Sequence, residues 1–316
     1  MPTKAKILKR PSFRIALPAT SANLGPAFDA AALAMDFCIK IDAWPADEFS
    51  ITASGRDREV CGRVENHLIL DTYRDVLAKA GKASTPLSLR IANNIPIGKG
   101  CGSSAAARLA GIAMAVHFGH LGWSDAQIIG EASCREHHPD NASACWLGGL
   151  TVARMSALTR DAADVQVVSV RPKGRWPLLL AVPGESLATE EARRVLPAQY
   201  SRADAVTNIQ NSMLLLAAFA EGRPDLLTAA LDDRIHQPYR AALCPLLPCL
   251  QELSGKDGIL GVALSGAGPS VLMFLDPRAS TQKVRRIVAT HLSHSRLTAE
   301  LLATTISLRG ARSSRS

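Results

Sequence analysis

The sequence predicts a mixed helix-and-strand protein of the α+β class, built as two domains. Three observations lead there. Segments of period two and segments of helical period occur in both halves of the chain. Aromatic residues make up only 4% of the composition, which disfavours an aromatic-rich all-β fold. The chain has 316 residues, enough for two domains that each bury a core.

The elements follow in order. "SFRIALPATSANLG" (12–25) alternates into a strand and ends in small polar residues. "AALAMDFCIKIDAWP" (31–45) and "EFSITASG" (48–55) read as strands. "ENHLILDTYRDVLAKAG" (65–81) has apolar residues at helical spacing and a glycine stop. "PLSLRIANNIP" (86–96) is a strand that runs into a glycine-rich turn. "SSAAARLAGIAMAVHFG" (103–119) is apolar nearly all round, as expected of a buried helix. "SDAQIIGEASCREHH" (124–138) is a helix capped by Ser124 that ends before Pro139. "GGLTVARM", "VQVVSVRP" and "WPLLLAVPG" continue the strands, with the domain junction expected near 171–177. Beyond it, "NIQNSMLLLAAFAEG", "DLLTAALDD" and "STQKVRRIVATHL" are helices, and "GILGVALSGAGPSVLMFL" is a strand, a glycine turn and a strand. The expected domains are 12–173 and 174–310, with residues 1–11 and 311–316 as disordered tails.

Composition narrows the function classes. No apolar run approaches the roughly 18 residues that span a bilayer, and the basic start lacks the apolar segment of a secretory signal. Seven cysteines, odd in number and without a CxxC pair, read as reduced thiols of a cytoplasmic protein. The net charge of +8 is concentrated at the two ends. No basic stripe is interleaved with aromatics, so a phosphorylated small molecule fits the charge better than nucleic acid.

Three stretches carry chemistry. Between Gly98 and Ser104 stand three glycines and two serines, directly before a buried helix. Unpaired backbone N–H groups and the positive end of a helix dipole make such a turn a phosphate cradle. It is not the common P-loop, because no lysine follows the last glycine, and the alternating glycines do not fit G-x-G-x-x-G. The second stretch is "PATSANLGPAFD" (18–29) and the third "SGAGPSVLMF" (265–274), which taken alone would be a simple hairpin turn.

In this order the three stretches resemble the three motifs of the GHMP kinase superfamily. "PATSANLGP-FD" and the later "EASCREHHPDNASACWLGG", "LATEEARRVLP" and "DDRIHQPYR" resemble its homoserine kinase branch. Ala27 and Cys101 depart from the usual residues of the motifs. The resemblance runs from about Ser12 to Leu275. It implies a two-domain GHMP kinase fold, an N-terminal domain like ribosomal protein S5 domain 2 packed on a ferredoxin-like C-terminal domain, with the site between them.

The resemblance also implies an activity: ATP-dependent phosphorylation of L-homoserine on the threonine pathway. ATP would be held by Asn66 and by the turn residues Pro96, Ile97, Gly98, Lys99, Gly100, Cys101, Gly102, Ser103, Ser104, Ala105 and Ala106. Mg²⁺ would be held by Glu131 and Ser104. For the amino acid, Arg193 and Arg240 suit the carboxylate and Asp29 suits the ammonium. Asn23, His138, Asp140, Thr189 and Gly266 would complete that pocket. Asn141 would donate to the transferring phosphoryl group, with Arg193 also counted as catalytic. No general base is identified: Asp140 is near the region, and the hydroxyl proton can instead pass directly to a phosphate oxygen. The expected partner is the small molecule L-homoserine, with no nucleic acid and no membrane; a homodimer is left open. Another GHMP kinase would lack the arginine pair, and a Rossmann dehydrogenase would need a glycine pattern that this chain does not have. The spaced pairs His117/His120 and His291/His294 show no third ligand and are read as surface or core residues.

Overall fold

The computed structural model describes residues 12–156 and 164–313. The expected tail 1–11 lies outside them, as do 314–316. The first half runs β1 (Phe13–Ala22), β2 (Ala31–Pro45), β3 (Ser50–Gly55), α1 (Arg58–Cys61), α2 (Leu68–Lys79), β4 (Leu87–Asn93), α3 (Ser103–Phe118), α4 (Asp125–Glu136), α5 (Asp140–Leu147), β5 (Leu150–Met155) and β6 (Val165–Val170). The second half runs β7 (Pro177–Val182), α6 (Thr189–Arg194), α7 (Arg202–Glu221), α8 (Leu227–Ala230), α9 (Gln237–Arg240), α10 (Leu246–Gln251), β8 (Ile259–Leu264), β9 (Val271–Leu275), α11 (Thr281–His294) and β10 (Glu300–Thr305).

The first sheet has six strands in the order β3-β4-β2-β5-β6, with β1 beside β2. Its pairings are antiparallel except for the parallel pair β3–β4. The β1–β2 register slips between Pro18 and Thr20. Across this slip β1 passes from Pro18 to Thr20 while β2 passes from Cys38 to Ala34, so the extra residues belong to β2. Helix α3 is buried along most of its length, as its all-round apolar sequence requires. Ser124 caps α4 in a reciprocal pair with Gln127.

The second sheet is antiparallel in the order β10-β7-β9-β8. Its alternation divides two cores. Leu178 and Leu180 of β7, with Leu272 and Phe274 of β9, pack into the same core as the first sheet and its helices. Leu179, Ala181, Val271 and Met273 point the other way, toward α10 and α11. The two sheets are therefore joined by continuous apolar packing.

Residues 311–313, expected in a disordered tail, form a single 3-10 turn with Ala311 buried in the first core. An apolar side chain with room in a core overrides the frayed end that its polar sequence neighbours suggest. Among the described residues no helix is long and apolar enough to cross a membrane. All seven cysteines are free thiols. His117 packs at a tilt against Phe13 with ring centroids 5.0 Å apart, and His291 Nε2 lies 2.9 Å from the Cys249 carbonyl oxygen. Among the described residues, neither histidine pair forms a metal cluster.

Candidate active site

A cavity of about 110 Å³ opens where the loop after β1, the turn before α3, the start of α5, helix α6 and the β8–β9 turn converge. The turn supplies one wall. Gly98, Gly100 and Gly102 all adopt positive φ (69°, 74° and 69°), which folds the chain back on itself before α3 begins. Gly102 is the N-cap, no side chain caps the first turn, and no acidic residue lies in it. The amides at the head of this 16-residue helix are thus available to an anion. Ser103 and Ser104 line the cavity. Cys101, Ala105 and Ala106 do not offer side chains to it, because all three are buried in the fold. Burial pushes the Cys101 thiol up to about 12, so it is a packing group there.

The β8–β9 turn closes on this wall through hydrogen bonds. Ser265 Oγ donates to the Gly100 carbonyl (2.7 Å), and the Gly266 amide donates to the Ala22 carbonyl (3.1 Å). Asn23 Nδ2 donates to the Gly266 carbonyl (2.9 Å), while its Oδ1 accepts the Asp29 amide (2.9 Å). Asn23 is therefore largely committed to holding the loop, with one amide hydrogen left for a ligand. Lys99 points away from the cavity, donating across the seam to the Gly184 carbonyl, and Pro96 lines that same outer depression. These two side chains do not join the others.

Charged groups supply the opposite wall. Asp29 and Arg193 form a two-pronged ion pair at 2.7 and 3.0 Å. Arg240 is 1% exposed and faces the cavity. Its Nε donates to the Ala192 carbonyl (2.9 Å), and Nη1 lies 3.1 Å from His236 Nδ1. No carboxylate among the described residues pairs with it directly. Burial first, then the like charge of Arg193, brings its pKa down to about 10, so it remains a cation at neutral pH. Both guanidiniums lie over the Phe28 ring at 5.3 Å. His236 is fully buried, and burial is the main cause that lowers its pKa to about 4. It is a neutral imidazole whose Nε2–H donates to the Gly25 carbonyl (2.8 Å), leaving Nδ1 to accept from Arg240.

Glu131, expected beside the phosphates, lies elsewhere. It pairs with Arg135 (2.7 Å) and Lys79 (3.5 Å) on another face of α4. Glu136 lines the cavity instead: its Oε1 accepts from Ser104 Oγ (2.7 Å) and from Arg108 Nε (2.5 Å). Five residues along a helix turn the side chain by about 140°, so the two glutamates cannot share a face. Which of the two glutamates meets the cavity depends on the helix face that turns inward, and spacing in the sequence does not single out Glu136.

Thr189, at the start of α6, and the residues at the start of α5 also line the cavity. His138 Nδ1 lies 2.6 Å from Asp140 Oδ1, which also accepts the Asn141 amide (2.6 Å). Burial opposes the charged imidazole, but the charge and hydrogen bond of Asp140, aided by Asp29 and Glu136, outweigh it and raise the His138 pKa. Asn141 Oδ1 accepts from Thr20 Oγ1 at 2.6 Å. Phe28, Glu136, His236 and Thr20 are the site residues that sequence reasoning missed.

A second, mostly apolar cleft of about 550 Å³ adjoins the first and shares Gly98, Ser103 and Ser104 with it. Val60, Ile69, Ile91, Ile95 and Ile97 form its walls, and Asn66 lies on its rim with φ of 51°. An apolar cleft that meets a polar anion cradle suits a molecule with an aromatic base at one end and phosphates at the other.

The models described as GHMP kinases N terminal domain and GHMP kinases C terminal match residues 67–149 and 215–294. The homoserine kinase of Solibacter usitatus is 43% identical over 84% of this chain and 85% of its own length. That of Deinococcus radiodurans is 36% identical, covering 85% of this chain and 86% of its own length. The crystal structure of homoserine kinase from Cytophaga hutchinsonii superposes with a TM-score of 0.78 at 22% identity, covering 94% of this chain and 96% of that one. The sequence similarity and the shared two-domain architecture give one result: this chain belongs to the homoserine kinase family of the GHMP kinases.

Proposed function

We propose that this protein transfers the γ-phosphoryl group of ATP to the side-chain hydroxyl of L-homoserine, giving O-phospho-L-homoserine and ADP for threonine biosynthesis. The observation that carries the substrate reading is the buried, charged Arg240, which among the described residues forms no ion pair with a carboxylate, beside the Asp29–Arg193 pair. A cation and a cation–anion pair facing one small cavity match a zwitterion with one carboxylate and one ammonium. In this reading Arg240 and Arg193 take the carboxylate, Asp29 takes the ammonium, and Asn23 and Thr189 add hydrogen bonds. The hydroxyl then faces Asn141 and His138.

ATP would set its base in the apolar cleft beside Asn66 and its phosphates on the amides around Gly98, Gly100, Gly102 and Ser103. Mg²⁺ fits the hard oxygens of Ser104 and Glu136, whose two bonds among the described residues both fall on Oε1. When bound, the ion supplies charge neutralisation for the phosphates. The protein's own part is positioning. Asp140 Oδ1 orients His138 and the head of α5, and in this reading the hydroxyl proton passes directly to a phosphate oxygen. A cytoplasmic setting belongs to this proposal and is supported by the seven free thiols.

The test is ADP release with Mg²⁺ and homoserine, threonine, serine, mevalonate or galactose as acceptor, with the product identified by phosphorus NMR. Homoserine should be the strongly preferred acceptor. Faster turnover of mevalonate or galactose would sink the substrate assignment and leave the kinase assignment standing.

A further inference from the structure

Thr20 sits immediately after the register slip between β1 and β2 and is 0% exposed. Its amide donates to the Cys101 carbonyl (3.1 Å), which fastens this strand to the glycine turn. Its hydroxyl donates to Asn141 Oδ1 at 2.6 Å, across 121 residues of sequence. Gly102 makes this contact possible, because a Cβ there would overlap Thr20 Oγ1 and stand 3.2 Å from Asn141 Oδ1. Thr20 thus occupies the point where the strand, the turn and helix α5 meet.

The two ends of a carboxamide are nearly the same size and opposite in function: one accepts, the other donates. An unconstrained Asn141 could turn either end toward the cavity. With the carbonyl end taken by Thr20, the N–H₂ end is left to the cavity, and among the described residues no hydrogen bond from Asn141 Nδ2 occurs. An amide oxygen facing an anionic phosphoryl group would repel it, whereas N–H groups stabilise it.

We propose that Thr20 is a positioning residue for phosphoryl transfer, fixing the Asn141 carboxamide so that its N–H₂ group meets the transferring phosphoryl group. The inference rests on the phosphoryl-transfer reading above and extends it to a residue that touches neither substrate.

The experiment compares Thr20→Val, which keeps the shape and removes the hydroxyl, with Thr20→Ser, which keeps the hydroxyl. Each is made in the parent and in an Asn141→Ala background, with kcat, both KM values and the unfolding temperature measured. Thr20→Val should lower kcat about 3- to 10-fold, the loss of one hydrogen bond, with both KM values near those of the parent. Thr20→Ser should stay within about twofold of the parent. In the Asn141→Ala background Thr20→Val should add nothing. Equal losses in the serine and valine variants, or an undiminished loss without Asn141, would overturn the proposal. If Thr20→Val does not fold, Thr20→Cys, a much weaker donor of similar size, replaces it with the same expectations. If another alcohol proves to be the acceptor, the substrate reading fails, and the same variants assayed with that alcohol still decide the role of Thr20.

Discussion

Asp29 and Arg193, 164 residues apart in sequence, meet on one wall of the cavity in a two-pronged ion pair at 2.7 and 3.0 Å. Both side chains are about a third exposed, so the pair itself adds little to stability. Its consequence is for recognition. A zwitterionic ligand brings one charge of each sign, so it can replace each partner's counter-ion without leaving any charge unpaired. Arg240, buried behind Phe28 and paired with no carboxylate among the described residues, then gains an anion.

Arg193→Lys should therefore lower kcat/KM for homoserine about 10- to 100-fold, because a point charge cannot reproduce the fork. The KM for ATP should hardly change, since Arg193 does not border the apolar cleft. Steady-state kinetics with each substrate varied in turn make the check. An equal rise in both KM values would assign the arginine to domain packing instead.

The two glutamates of α4 separate cleanly. Glu136→Gln should reduce kcat by at least about 100-fold and raise the Mg²⁺ concentration needed for half-maximal rate. Glu131→Gln removes pairs with Arg135 and Lys79 on another face of α4 and should leave both quantities near the parent values. Titration of the rate with Mg²⁺ distinguishes them. A collapse of activity in Glu131→Gln with an unaffected Glu136→Gln would reverse the assignment made from the geometry.

Much of the scaffold is legible in the sequence because its causes are local. The strand 31–45 and the helix 103–118 match the spans that alternation and all-round apolarity predict. The glycine turn announces its conformation through composition alone. Helices α1, α5, α6, α9 and α10 and strand β10 escape such a reading, since they are short and held by tertiary contacts more than by periodicity. At the site, the arginines and Asp29 are reachable through the motifs. Glu136 and Thr20 are not, because their roles depend on which helix face turns inward and on a contact 121 residues away.

Stability should fall below neutral pH through His236. In the folded protein burial, partly countered by Asp233, holds its pKa at about 4, against an ordinary value of 6.5. Above pH 6.5 the imidazole is neutral in both states and contributes no pH dependence. Between 6.5 and about 4 the unfolded chain takes up the proton and the folded chain does not, so the unfolded state is favoured, by up to about 3 kcal/mol at the lower end. Urea unfolding at pH 7 and pH 5 tests this, with His236→Gln as the comparison. The variant should be less stable at pH 7 but lose less on going to pH 5. An identical loss would place the acid sensitivity in other groups.

Gly102 can be tested against a glycine of the same conformation elsewhere. Its φ of +69° disfavours any side chain, and its missing Cβ is where Thr20 and Asn141 meet. Gly122 has φ +67°, and a Cβ there would meet nothing within 4 Å, so substitution adds backbone strain without collision. Gly122→Ala should lower stability by about 1–2 kcal/mol and leave kcat unchanged. Gly102→Ala carries the same strain and in addition pushes Thr20 or Asn141 out of place at the head of α3. Its kcat should fall at least about 10-fold, since a small misplacement of a positioning group is enough to do so. The KM for homoserine should change less, because the arginines lie on the opposite wall. Unfolding curves measured beside the kinetics decide the matter. If the two variants lose stability equally and both keep the parent kcat, the turn tolerates a side chain and the close approach of Thr20 to Asn141 is not needed for turnover.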